Sequence, residues 1–295
     1  MKSKFFRKCF LSLGLFLFLS LLIPFSSWNT VSVQAAATTN NEKGEDYRLN
    51  LKSVSIVKGK TFALKVYNVN ENAKVTYKYK SGDADIASVS DDGVITANKI
   101  GSTTVTVTIK SGSSTIPLTC DVTVGPPAFS VRLTRSRIVI GLDKSDFLNV
   151  ILKPTNTVEV ARFSSYNYNI ASVSSGGRVT GRQLGLTYLF AVIDAIDSDG
   201  SQKYSRCTVI VTSSDNASLL ESYFAEHPEL DLIAQDELDA ALDQFFNVKY
   251  DPSSSSSLVN SLNRYLDDNF NLSELKKQYD SSKPQSNSIE IVRSN

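Results

Sequence analysis

From position 47 to 212 apolar and polar residues alternate with a period of two. Leu49 and Leu51 alternate with polar neighbours, Phe62, Leu64 and Val66 do the same, and Val75, Tyr77 and Tyr79 follow. This is the pattern of strands with one buried face. Thr103 to Ile109 is rich in β-branched residues, which suit a pleated surface. Ser81-Gly82-Asp83, Asp91-Asp92-Gly93 and Ser111-Gly112-Ser113 punctuate the run as turns, and Ile116 to Val124 closes it. Two further apolar runs, Phe147 to Leu152 and Val158 to Ser164, each read as one strand.

The pattern occurs twice. Ile86 to Gly101 reads IASVSDDGVITANKIG and Ile170 to Gly185 reads IASVSSGGRVTGRQLG, at a constant offset of 84. A repeat this long is one small domain present twice. Gly125-Pro126-Pro127 separates the copies, because two prolines remove amide donors and fix φ, so no strand ladder crosses there. The expected domains are residues 47–125 and 126–212, each of about seven short strands. Two half-apolar sheets must cover each other, which predicts an all-β chain of tandem immunoglobulin-like β-sandwiches.

Both copies resemble the bacterial Ig-like group 2 family. The residues that carry the resemblance are Tyr79-Lys80-Ser81, Ile86 to Val89, Gly93 to Ala97, Gly101 to Val107 and Cys120-Asp121-Val122-Thr123-Val124. In the second copy they are Phe163-Ser164-Ser165, Ile170 to Val173, Gly177 to Gly181, Gly185 and Cys207-Thr208-Val209-Ile210-Val211, with a departure at Gly181. The resemblance implies an exported bacterial protein, secreted or associated with a cell surface, that binds protein or glycan. The family shares no catalytic residues, so it implies no enzyme.

After Thr212 the period changes to that of a helix. Leu219, Leu220, Tyr223 and Phe224 have helical spacing, and Pro228 interrupts. Leu230 to Phe246 continues it for over four turns, Leu258 to Leu266 forms another stripe, and Asn271 with Glu274 makes a capping-box-like start. Residues 213–280 therefore predict a small α-helical C-terminal region, followed by a disordered tail, 281–295. Its stripes have three ways to be covered: by each other, by the second sandwich or by a partner. Residues 36–212 are expected to fold without it.

Charge separates the regions. Residues 47–125 carry ten basic and six acidic side chains, residues 126–212 also ten and six, and residues 213–295 six and fifteen. The acidic surplus suits a solvated helical face, with attraction to the basic sandwiches as the alternative. The formal net charge of +1 gives no case for nucleic acid.

The first residues predict export. Lys2, Lys4, Arg7 and Lys8 precede an apolar run from Phe10 to Ile23, and Val33-Gln34-Ala35 fits a cleavage site. Residues 1–35 are read as a signal peptide and 36–46 as a flexible leader. The apolar run is short for a membrane span, so no transmembrane segment is expected in the mature chain. Cys120 and Cys207 then remain, each in register with two valines, and the same position in two separate cores predicts two buried free thiols rather than a disulfide.

Chemistry-bearing constellations are few. His227 stands before Pro228 at an expected helix end, where a structural role outweighs a catalytic one. Asp194, Asp197 and Asp199 with Gly200 fit a hairpin turn better than a calcium loop, because the alternating ligand series and distant Glu are missing. Asp83 with Asp85, and Asp91 with Asp92, read the same way. Tyr47, Tyr77, Tyr79, Tyr166 and Tyr168 suit core packing, with a sugar-stacking site as the alternative. No catalytic, cofactor or metal residue is assigned, and the ligand-binding residues and oligomeric state stay open. The leading reading is an exported binding protein whose sandwiches present a recognition surface. A weak or accessory hydrolase using the helical region, and a structural spacer of an envelope or matrix, are the alternatives.

Overall fold

The computed structural model describes residues 47–68, 74–250 and 257–283. The expected signal peptide, the leader and residues 284–295 lie outside these. Two compact units meet between Val124 and Gly125.

The first unit is a β-sandwich of strands β1 (Tyr47–Leu49), β2 (Ser53–Val57), β3 (Thr61–Ala63), β4 (Val66–Asn68), β5 (Val75–Ser81), β6 (Ala87–Val89), β7 (Val94–Ala97), β8 (Gly101–Ser111) and β9 (Ser114–Gly125). A four-stranded sheet, β2-β9-β8-β5, faces the three-stranded sheet β3-β7-β6 and the pair β1-β4 across one core. The alternation does what the sequence pattern requires. Val105, Val107 and Ile109 of β8 are buried, and Cys120, Val122 and Val124 of β9 point into the same core. Thr104, Thr106, Asp121 and Thr123 take the other face of that sheet.

The second unit repeats this order in β10 (Ser130–Leu133), β11 (Arg137–Gly141), β12 (Ser145–Phe147), β13 (Val150–Lys153), β14 (Arg162–Ser165), β15 (Ala171–Val173), β16 (Arg178–Gly181), β17 (Gly185–Ile196) and β18 (Gln202–Thr212). Its sheets are β11-β18-β17-β14, β12-β16-β15 and β10-β13. Among the described residues each copy thus has nine strands where about seven were expected. The expected single strands Phe62 to Val66 and Phe147 to Leu152 each split, because the chain crosses from one sheet to another. At the crossings Leu64 donates its amide to the Gly93 carbonyl (2.9 Å) and Leu148 to that of Gly177 (2.8 Å). Both leucines are 1% exposed, so the apolar period runs unbroken through a break in the strand. The partner must be glycine: φ is +81° at Gly93, and a Cβ there would sit 2.6 Å from the Leu64 oxygen. The expected strand Val158 to Ser164 begins only at Arg162. Ahead of it, the buried Glu159 carboxylate accepts from the amides of Ala128 and Asp194, both at 2.8 Å, and so holds an irregular stretch in place.

Only Ser213 separates β18 from helix α1 (Ser214–Glu226), and its hydroxyl caps that helix by accepting from the Asn216 amide. A 3-10 turn (Pro228–Leu232), α2 (Gln235–Gln244), a π turn (Phe245–Lys249), α3 (Leu258–Phe270) and α4 (Leu272–Ser282) follow. The period read from Leu230 to Phe246 is therefore not one helix. It breaks at Ile233, whose extended backbone lets Leu230 of the 3-10 turn and Leu238 and Leu242 of α2 enter one core, while Leu232 stays exposed. Asn271 caps α4 by accepting from the Glu274 amide, and α4 runs to Ser282, past the expected end of the helical region at 280.

The helices share a core with the second sandwich. Val139, Leu186 and Ile210 cluster with Leu220, Leu230, Leu242, Leu262 and Leu266. Val139, Leu186 and Ile210 stand in one row across β11, β17 and β18, since Ile210 pairs with both of the others. They point away from Cys207, Val209 and Val211, which fill the sandwich core. The matching positions of the first copy are Ser55, Ser102 and Thr123. One substituted row therefore makes this sheet apolar on both faces, and the helices are the layer that covers the second. Among the described residues, no helix is long and apolar enough to cross a membrane.

Candidate functional site

The helical cap is fastened by polar groups that the outer sheet face presents. Asn247, in the π turn, grips the backbone of Leu186 twice: its Oδ1 accepts from the Leu186 amide (2.8 Å) and its Nδ2 donates to the Leu186 carbonyl (3.0 Å). Next to the apolar row lie Arg137, Thr208 and Tyr188, then Phe190 opposite Arg206. Arg206 donates to Asp236 at 2.7 Å and to Asp239 at 2.6 Å, both on α2. Thr208 Oγ1 donates to the other Asp239 oxygen at 2.5 Å, and the Tyr188 hydroxyl donates to the Asp239 carbonyl at 3.3 Å.

Asp239 is 4% exposed. Burial pushes its carboxyl above the ordinary range, against the pull of Thr208, Arg206 and Arg137. Arg137 spreads its guanidinium over the Phe224 ring at 4.2 Å, and burial lowers its affinity for the proton. The acidic surplus of the C-terminal region thus has two parts: Asp236 and Asp239 answer a sheet arginine, whereas Asp215, Glu221, Glu237 and Asp268 are exposed.

The residues singled out in the sequence fall elsewhere. His227 ends α1, with Nδ1 at 2.7 Å from the buried Glu229 and its ring against Tyr223 at 4.3 Å. Asp194 pairs with Arg162 at 2.7 Å. Asp197 accepts from the Ser198 amide, and Asp199 from the Ser201 amide and hydroxyl, the last two lowering its pKa. The three carboxylates thus serve the β17–β18 hairpin and its flank. Tyr47 is buried and Tyr79 part-buried in the first core, while Tyr77 is exposed on β5. Tyr166 and Tyr168 are exposed between β14 and β15, where Arg182 stacks on Tyr168. Cys120 and Cys207 are free and fully buried, and burial pushes their thiols up to about 11 and about 12.

A cleft of about 650 Å³ opens in the second unit, beside the Arg206–Asp236 pair. Its walls are the start of β10 (Phe129 to Val131), the β17–β18 hairpin, the first half of β18 and the first turn of α2. Tyr204 and Phe129 are 51% and 58% exposed at this cleft. The Tyr204 ring leans edge-on against Phe190 at 5.6 Å. The Phe129 backbone is held from both sides, by its amide to the Lys153 carbonyl (2.8 Å) and its carbonyl to Lys203 Nζ (3.3 Å). Of the residues singled out in the sequence, Asp197 and Asp199 line this cleft, but sequence reasoning missed its rings and its α2 wall. Its signal was the doubly apolar strands Ile138-Val139-Ile140 and Val209-Ile210-Val211, which call for a covering layer and so for a wall beside Tyr204.

Residues 46–120 match the family model of the bacterial Ig-like domain (group 2). Over 136 residues, 46% of this chain, the sequence is 27% identical to an uncharacterized protein of Clostridium acetobutylicum. The match spans 14% of that protein's length. Among solved structures, human protocadherin-24 EC1-2 aligns with 57% of this chain and 98% of its own, at 11% identity and a TM-score of 0.25. Domains 4 and 5 of the S-layer protein SbsC align with 57% and 98%, at 17% identity and a TM-score of 0.25.

Proposed function

With residues 46–120 a bacterial Ig-like domain of group 2, we propose that the chain is an exported, surface-associated recognition protein that binds rather than transforms its partner. The family match carries this reading. The arrangement of the charged groups supports it. Arg206, Asp236, Asp239 and Thr208 are spent on fastening the helical cap, and His227 and Glu229 on each other. Exposed rings and short polar side chains also meet in the cleft of the second unit. The basic start, the apolar run and Val33-Gln34-Ala35 support export by cleavage after Ala35.

The test is fractionation of the native cell into cytosol, membrane, wall and medium, with intact mass of the recovered chain. A chain in the wall or medium that begins at Ala36, or at Thr38 if Ala35-Ala36-Ala37 serves as the cleavage site, is expected. A cytosolic chain that retains Cys9 overturns the proposal.

A further inference from the structure

We propose that the cleft beside α2 is a binding site for an uncharged pyranose oligosaccharide. This deepens the recognition reading above and rests on it. Three observations carry it.

The first is the pair of rings. Tyr204 and Phe129 are more than half exposed; the Tyr204 ring packs against Phe190, and the backbone that carries the Phe129 ring is hydrogen-bonded at both ends. An anchored ring that stays open to water offers a flat apolar face at little entropic cost. The C–H face of a pyranose is the complement of such a surface.

The second is the polar lining. Asp197, Asp199 and Ser201 come from the hairpin, and Gln235 and Asp236 from α2. Carboxylate and carboxamide groups accept and donate in one plane, which suits the paired hydroxyls of a sugar. The volume falls in the range of ligand sites, roughly 300–1,000 Å³.

The third is charge. Arg206 is already shared between Asp236 and Asp239, so Lys203 is the cation facing the two other carboxylates of the cleft, Asp197 and Asp199. That balance repels a phosphorylated or sulfated polymer and leaves a neutral glycan as the fitting ligand. It also admits a cationic peptide, which is therefore the competing ligand in the test.

The cap supplies one wall of the site, through Gln235 and Asp236. In the first copy the positions matching Tyr204 and Arg206 are Pro117 and Thr119, on a sheet with no helix across it.

The chain itself supplies the assay. Its one tryptophan, Trp28, precedes the expected cleavage site, so the mature chain has none. Tyr204→Trp therefore places a single reporter in the cleft. The mature chain is titrated with cellohexaose and chitohexaose, by calorimetry for the natural sequence and by fluorescence for the variant. Heparin and an oligolysine serve as the charged comparisons.

Saturable binding of one neutral hexamer is expected, with a blue shift of the reporter. Affinity should fall about tenfold in Tyr204→Ala and in Phe129→Ala, with melting unchanged because both rings are half exposed. No binding of either hexamer at millimolar concentration overturns the proposal, as does oligolysine binding in their place. Sugar binding that survives both alanine variants overturns the cleft while leaving the recognition reading intact. The reading itself fails separately, on a cytosolic location.

Discussion

Deleting the helical cap should unfold the second sandwich and spare the first. The apolar row shared with the helices argues this, against the expectation from the sequence pattern that residues 36–212 fold without the helical region. The perturbation is truncation after Thr212. In the intact chain Val139, Leu186 and Ile210 are 7%, 2% and 0% exposed, covered by α1 and the layer behind it. Burial of such a side chain is worth about 1.5–3 kcal/mol, so uncovering all three costs on the order of 6 kcal/mol. Arg137 and Arg206 lose their partners but regain water, so they add little in either direction. A loss of that size is comparable to the whole stability of a domain, about 5–15 kcal/mol.

Differential scanning calorimetry of residues 36–295 and 36–212 separates the units. The transition of the first unit should persist unchanged, and that of the second should vanish or fall steeply, with aggregation through the bared row. The decisive control transplants the first copy's residues into the truncated chain. Val139→Ser, Leu186→Ser and Ile210→Thr install what stands at Ser55, Ser102 and Thr123, and should restore a soluble second sandwich. If the unaltered chain 36–212 shows both transitions of the full chain, the doubly apolar sheet does not need its cover and the reasoning fails.

Two other outcomes follow from buried groups. Asp239→Ala should cost about 1–3 kcal/mol in urea denaturation, because it leaves the buried Thr208 hydroxyl without its acceptor and Arg206 with Asp236 alone, whereas Asp236→Ala, whose side chain is 55% exposed, should cost under about 1 kcal/mol; equal effects would refute the partition. The two thiols should be silent to a thiol reagent in the folded mature chain and titrate as two in denaturant. Their folded pKa values, about 11 for Cys120 and about 12 for Cys207, lie above the ordinary 9.0, so the stability they contribute is intact below 9.0 and lost as pH rises from there towards 11 and 12. Denaturation midpoints that stay flat across that alkaline range would contradict it.

The sandwiches were legible because a period of two survives even where the backbone does not follow one strand. Leu64 and Leu148 kept the apolar rhythm while the chain changed sheets, so the sequence showed these two as core positions and the strand count too low, whereas Tyr77, Tyr166 and Tyr168, read as core rings, are exposed. The helical stripes were legible for the same reason, and so was the cap at Asn271. What remained hidden was the surface that receives the stripes. Alternation reports which residues are apolar, and it marks a strand as one-faced by default. Ile138-Val139-Ile140 and Val209-Ile210-Val211 break that default at single positions, Val139 and Ile210, each bounded by expected core residues.

The repeat itself carried the missing information. A position that is Ser or Thr in one copy and Val, Leu or Ile in the other has changed its solvent, because the fold around it has not changed. Ser55 against Val139, Ser102 against Leu186 and Thr123 against Ile210 are three such differences in one row of one sheet. Asp121 against Thr208 and Thr119 against Arg206 extend the contrast towards the cleft, exchanging a solvated carboxylate for the hydroxyl that holds Asp239 and a solvated hydroxyl for the guanidinium that pairs with α2. The differences between the copies therefore locate the cap and the cleft wall, as the likenesses between them locate the cores.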